Sequence, residues 1–262
     1  VDQVFLNGIS GIRRACIRDL CGFDEQIVDD TDTVTVIRLL DQMLVAQTET
    51  DLPSGRAAEM AAADRERLIA AVYKQTFGDR VKSTINCSQC NEPFDLDFEV
   101  SDLLTTLGEE QGKIETIRSK EGDFILENGC RFRLPSGIDE MAVFGLPLEE
   151  AQKILLSRCI IEGDPERNGK HVQDAMQKLA PVAEIDLDAP CPECGETQSV
   201  HFSLQSYLLA ALRQERPRLI REVHRLATAY GWGLNEILSL PRSQRRSFVE
   251  LIESDISLEG RL

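Results

Sequence analysis

The stretch Cys87-Ser-Gln-Cys90-Asn91-Glu92-Pro93-Phe94-Asp95-Leu96-Asp97-Phe98 decides how this sequence folds, because its pattern returns from Cys191-Pro-Glu-Cys194-Gly195 onward. Aligned on the cysteines, Leu96, Phe98, Val100 and Leu104 match Val200, Phe202, Leu204 and Leu208. Each half reads as a turn, a strand with apolar residues at every second position, and an apolar helix start. The two halves look like one unit used twice.

The residues just after each CxxC separate metal binding from redox chemistry. A redox dithiol puts its first cysteine at a helix N-terminus, whose dipole lowers the thiol pKa. Here the second cysteine is followed by Asn91 in one half and Gly195 in the other. These residue types enter the left-handed conformation most easily, as a knuckle turn that aims N–H groups at thiolates requires. Pro93 further disfavours a helix after Cys90. Each knuckle supplies two thiolates and a structural Zn²⁺ takes four, so Cys87, Cys90, Cys191 and Cys194 are the expected ligands of one site. No other CxxC or His pair competes. The spacing between the pairs is far longer than in common zinc motifs, which makes residues 113–185 an expected insertion. Closed Cys₄ coordination leaves no position for water or substrate, so the expected role is architectural.

Composition narrows the remaining possibilities. The 262 residues carry a formal charge of −16, which opposes wholesale binding to nucleic acid or anionic membrane. From Ser203 to Glu253, however, eight Arg face five Glu, so that segment is +3 and the remainder −19. No run of about 18 uncharged apolar residues suggests a membrane span. Arg13, Arg14, Arg18 and Asp19 interrupt the first residues against a signal-peptide pattern. Eight cysteines in such a chain point to reduced thiols, with Cys16, Cys21, Cys130 and Cys159 expected as small buried hydrophobes. An enzyme is not expected. His171, His201 and His224 lack a nucleophile or carboxylate at a productive spacing. Gly163–His171 departs from a phosphate loop in its glycine spacing and lacks Ser/Thr after Lys170. Asp95, Asp97 and Glu99 read as the solvated face of a strand.

The expected fold is α+β, with a Cys₄ zinc-ribbon-like centre built from two knuckles, an inserted β/α region and a helical C-terminal part. Its expected divisions are 1–60 (N-terminal strand and helix), 61–112 (first knuckle half), 113–185 (inserted region), 186–210 (second half), 211–253 (basic helices) and 254–262 (a loose tail). Within them the sequence suggests a strand or extended arm at Val1–Asn7, a short strand or turn at Arg14–Asp19, and strands at Arg80–Asn86 and Phe94–Val100. It also suggests strand-like runs at Lys113–Arg118, Phe124–Leu126 and Cys130–Leu134, with a tight hairpin at Asn128–Gly129. Helices are expected from Asp32 to about Gln47, from an Asp64 cap to Gly78, from Pro147 to about Glu162 and over Val172–Leu179. Gly163–Lys170 reads as a polar loop. From Leu204 the chain should be helical nearly to its end, broken near Arg216 by Pro217, at Gly231 and at Leu240–Pro241.

Three stretches resemble the baseplate protein family that includes the T4-type baseplate hub assembly chaperones of contractile phage tails and related injection systems. They are Asp64–Leu68 through Phe77-Gly78-Asp79 into the first CxxC; Arg131-Phe-Arg-Leu-Pro-Ser-Gly137; and, most strongly, Glu222–Ala227 with Tyr230-Gly-Trp232, Glu236–Pro241 and Arg245-Arg-Ser-Phe248. Leu20–Glu25 matches loosely. The resemblance implies a non-enzymatic baseplate component or assembly factor, put together in the cytoplasm whether or not it stays in the particle. Its implied partners are other baseplate, spike or tube proteins, with no membrane. Trp232 between two basic helices suits an aromatic anchor ringed by Arg218, Arg221, Arg225, Arg245 and Arg246, against the plainer reading that Trp232 only packs the helices. The alternative class is a zinc-ribbon nucleic-acid-binding regulator using the arginine-rich helices, which the acidic body opposes.

Overall fold

The computed structural model describes residues 2–6, 12–109, 117–119, 122–180 and 184–259. The chain opens with an antiparallel pair, β1 (Asp2–Phe5) and β2 (Arg14–Ile17), then α1 (Gly22–Gln26) and α2 (Thr33–Met43). Asp32 caps α2 by accepting from the Thr35 N–H at 2.8 Å, a contact worth about 1 kcal/mol. The helix stops at Met43 instead of near Gln47. Leu44 turns extended and bridges to Ile17, and the Val45 N–H donates to the Cys16 carbonyl. A 3₁₀ turn at Ala57–Glu59 leads into α3 (Ala62–Phe77), which Gly78 ends with φ +88°. Asp64 does not cap α3. Ala61 is the N-cap, and Asp64 lies inside the first turn, paired with Arg67.

Two hairpins share one plan. The first is β3 (Arg80–Asn86) and β4 (Pro93–Glu99), then α4 (Val100–Glu109). Between this hairpin and its repeat lie β5 (Ile117–Arg118), β6 (Phe124–Ile125), β7 (Arg131–Phe132), α5 (Gly137–Val143), α6 (Leu148–Cys159), β8 (Ile160–Glu162) and α7 (Pro165–Leu179). These strands form an antiparallel sheet in the order β5-β6-β7-β8. Lys113–Thr116 of the expected strand lie outside the described residues. Gly129 turns the β6–β7 hairpin with φ +81°. Ile160–Glu162 leaves α6 to become an edge strand, and the expected polar loop is the first part of α7, with Asp164 as cap and Pro165 at the first position.

The second hairpin is β9 (Glu184–Pro190) and β10 (Thr197–Ser203), followed by α8 (Leu204–Gln214), α9 (Arg216–Tyr230), α10 (Leu234–Ser239) and α11 (Arg242–Glu259). Helix α11 runs through residues 254–259, where the sequence suggests a loose tail. Gly260–Leu262 lie outside the described residues.

One large core gathers Ile17, Leu39, Leu40, Met43, Leu68, Ile69 and Leu208 with the bases of both hairpins. The intervening sheet and α7 bury a separate cluster around Phe132 and Val172. Helices α9–α11 share a third around Leu226, Ile237 and Val249.

Glu66 on α3 sits against the grain of this core: it is 9% exposed, and its Oε2 has no partner among the described residues. Burial, with Glu140 and Glu184 nearby, raises its pKa to about 7 even though Arg65 pulls the other way. A carboxyl that stays protonated longer in the folded state loses stability as pH rises from 4.5 toward about 7. Glu66→Gln should therefore raise the melting temperature by several degrees at pH 8 and leave it nearly unchanged at pH 4.5, read by thermal unfolding at both pH values.

Candidate metal centre

The two hairpins are equivalent residue for residue. Arg80, Cys87, Pro93 and Val100 begin strand, knuckle, strand and helix in the first; Glu184, Cys191, Thr197 and Leu204 do so in the second, always 104 positions later. In each knuckle the residue after the second cysteine is left-handed, Asn91 at φ +60° and Gly195 at φ +75°. Its N–H donates to the carbonyl of the first cysteine at 3.0 Å in both. The Cys87 N–H closes on the Glu92 carbonyl at 3.0 Å and the Cys191 N–H on the Glu196 carbonyl at 2.7 Å.

These turns bring the four thiols together. Cys87 Sγ lies 3.6 Å from Cys194 Sγ, and Cys90 Sγ lies 3.7 Å from Cys191 Sγ. All four sulfurs fall within 4.8 Å of one another. Those contacts are far too long for a disulfide, whose S–S bond is about 2.05 Å. A tetrahedron of thiolates about 2.3 Å from a central Zn²⁺ has edges of about 3.8 Å, so the donor set and its spacing fit that ion. Cys87 and Cys191 are buried at the inner side, and Cys90 and Cys194 face outward.

Electrostatics reinforce the fit. The Cys87 thiol is lowered to about 6, first by the Cys90 N–H and then by the Gln89 N–H. Cys90 runs the other way, to about 12: the Glu92 N–H alone would lower it, but burial and the three neighbouring thiols outweigh that bond. Thiolates packed this closely repel one another, and a divalent cation among them removes the conflict.

Sequence reading missed what braces the cluster. Gln198 reaches across from β10, its Oε1 accepting from the Ser88 N–H at 2.7 Å and its Nε2 donating to the Asn86 carbonyl at 3.1 Å. Below the knuckles, Phe98 and Phe202 meet edge-on with centroids 5.0 Å apart, worth about 0.5–1.5 kcal/mol beyond their burial. His201 is an exposed strand residue bonded to Asp186 at 3.1 Å, not a brace of the cluster. Asp95 and Asp97 lie on the solvent face, bonded to Thr84 and Arg80. Strand β9 also escaped notice, although Ile185, Leu187 and Ala189 alternate just as Val81, Ser83 and Ile85 do in β3.

The basic helices divide into two groups. Arg218, Arg221, Arg225 and Arg246 line one groove of about 440 Å³ between α9 and α11, together with Glu222, Glu250 and Glu253. Arg245 does not belong with them. It is fully buried, its Nε donating to Glu222 at 2.7 Å and its Nη2 to Glu25, so no partner can reach it. Trp232 stacks on Tyr230 at 4.8 Å and meets Phe248 edge-on at 5.2 Å, packed within the third core.

Searches among curated proteins and among solved structures returned no match. No helix among the described residues is long and apolar enough to cross a membrane. The family model described as T4 bacteriophage base plate protein matches residues 19–163, more than half of the chain, taking in α1, α3, the first knuckle and α5. The chain belongs to that family of baseplate proteins of contractile phage tails.

Proposed function

We propose that this protein is a zinc-clamped, non-enzymatic component or assembly factor of the baseplate of a contractile phage-like tail, acting through contacts with other baseplate, spike or tube proteins. The observation that carries this reading is the four-thiol cluster joining two equivalent hairpins in a chain of the baseplate family. A closed four-sulfur site suits a fastener, since it leaves no coordination position for a substrate. In this reading 61–112 and 186–210 are the two halves of a zinc ribbon, 113–185 is inserted between them, and 211–253 is the docking part. Assembly then takes place in the cytoplasm. The test is particle assembly: cells producing the contractile tail with Cys87→Ser in this protein should yield tails lacking complete baseplates, while normal particles from that variant would sink the proposal.

The groove between α9 and α11 is the proposed docking surface, with its exposed Arg221 suited to an acidic side chain of a baseplate partner. Arg221 is exposed and has no ion-pair partner among the described residues, whereas Arg225 pairs with Glu253 and Arg218 with Glu222. Reversing one such charge at the surface leaves stability within about 0.5 kcal/mol. Arg221→Glu should therefore cut co-purification of baseplate partners at least severalfold with an unchanged melting temperature; full retention of partners would exclude this groove.

A further inference from the structure

We infer that the intervening region and the C-terminal helices are each fastened to the rest of the protein by one and the same docking joint, built twice from unrelated parts of the chain. One side of the joint is the pattern Arg-x-x-Cys/Ser-Gly-x-Asp-Glu, present at Arg18–Glu25 and Arg133–Glu140. The other side is a short helical turn, a bridging residue and a helix with Arg at its fourth position, present at Leu238–Arg245 and Ala58–Arg65. Arg18–Glu25 meets Leu238–Arg245, and Arg133–Glu140 meets Ala58–Arg65.

The correspondence holds atom by atom. Arg18 forks onto Asp24 at 2.6 and 2.9 Å, and Arg133 onto Asp139 at 2.5 and 2.9 Å. Each aspartate also accepts the N–H three residues back, Cys21 at 2.8 Å and Ser136 at 3.0 Å. Cys21 then bridges Pro241, and Ser136 bridges Ala61, in antiparallel sense. The next helix starts by donating to the carbonyl before that residue: Arg242 N–H to Leu20 at 2.7 Å, Ala62 N–H to Pro135 at 3.2 Å. A Cβ on Gly22 would lie 3.0 Å from Leu238 Cα, and one on Gly137 3.3 Å from Ala58 Cα, so both glycines are there for close backbone approach. Finally Arg245 Nη2 meets Glu25 Oε2, and Arg65 Nη2 meets Glu140 Oε2 at 2.7 Å.

The two joints differ in strength. Glu25 also takes Arg242, where the other joint has Ala62, and the arginines at the fourth helical position differ in their surroundings. The second face of Arg245 is filled by Glu222 of α9. In the other joint the place of α9 is taken by α2, which buries only Thr35 and apolar side chains. Arg65 Nε and Nη1 are accordingly buried with no acceptor among the described residues, which leaves their desolvation uncompensated. The joint at Glu140 is the weaker, so the intervening region is the part poised to lift off while α9–α11 stay docked.

Amide hydrogen exchange on the full-length, metal-loaded protein tests this. Glu140→Gln should speed exchange in α5–α7 by roughly tenfold and leave α9–α11 at wild-type rates, and Glu25→Gln should do the reverse. Acceleration shared by both regions, or seen in neither, overturns the inference. Should a variant fail to fold, the wild-type protein decides: α5–α7 must exchange before α9–α11, and the opposite order or a common rate refutes it.

Discussion

Cys191→Ser is expected to abolish zinc binding and lower the melting temperature by about 10 °C or more, with the damage concentrated at the two hairpin tips. The tips have little else to hold them. Cys87, Phe94, Ala189 and Cys191 are the only buried members of their cluster among the described residues, with Ile85, Leu96 and Val200 half-covered. Structural Zn²⁺ binds zinc-finger peptides with about 10–16 kcal/mol of apparent free energy, comparable with the whole stability of a domain, so its loss is not offset by so small a cluster. The large core below is a different matter. Phe202, Leu204 and Leu208 pack with Leu68 and Leu40, independent of the sulfurs. The variant should therefore keep most of its helical circular dichroism while residues 85–96 and 188–200 lose exchange protection.

The same outcome is expected of Cys87→Ser, because the two knuckles are equivalent in turn geometry and hydrogen bonding. Chelation of the wild-type protein should reproduce either variant. Purified protein holding less than about half an equivalent of zinc, or a Cys191→Ser variant that melts with the wild type, would refute the clamp. A loss of melting temperature without any loss of zinc would instead assign the effect to packing around Cys191.

The meeting of the four thiols was legible because its signals are local. CxxC fixes two sulfurs within a turn, and Asn91 and Gly195 announce the left-handed residue that closes it. Features set by distant partners were not legible in the same way. An arginine is exposed by default, and nothing near Arg245 reveals that Glu25 will come to lie against it. Other errors came from giving one local signal too much weight. Gly163, Pro165, Asn168 and Gly169 suggested a loop, yet Asp164-Pro165 is itself a helix start, with cap and proline in their favoured places. The β-branched pair Ile160-Ile161 marked the strand that cut α6 short. The docking pattern at Arg18 and Arg133 was visible too, but its meaning depends on two further segments that only the fold brings to it.

Arg245→Ala should cost about 3–5 kcal/mol, more than any other single change among the basic helices. The guanidinium is fully buried between Glu25 and Glu222, each 4% exposed. Arg242 also binds Glu25 and reaches Glu215 at 3.0 Å, while Arg246 binds Glu215 and reaches Glu222 at 3.3 Å. The cluster ties α1 to α9 and α11, elements far apart in sequence. Removing its central cation leaves buried carboxylates facing one another with too little positive charge, and that penalty exceeds the worth of the lost bonds. The distinction is measurable. Arg245→Met fills the space without restoring charge and should remain nearly as destabilised as alanine. Adding Glu25→Gln and Glu222→Gln to it should recover much of the loss, because the uncompensated charge goes with them. Urea unfolding of wild type, Arg245→Met, the Glu25→Gln/Glu222→Gln double variant and the triple variant closes the cycle that gives the coupling energy. A loss below about 1 kcal/mol for Arg245→Ala would mean that water reaches the site and that charge does not hold the C-terminal helices in place.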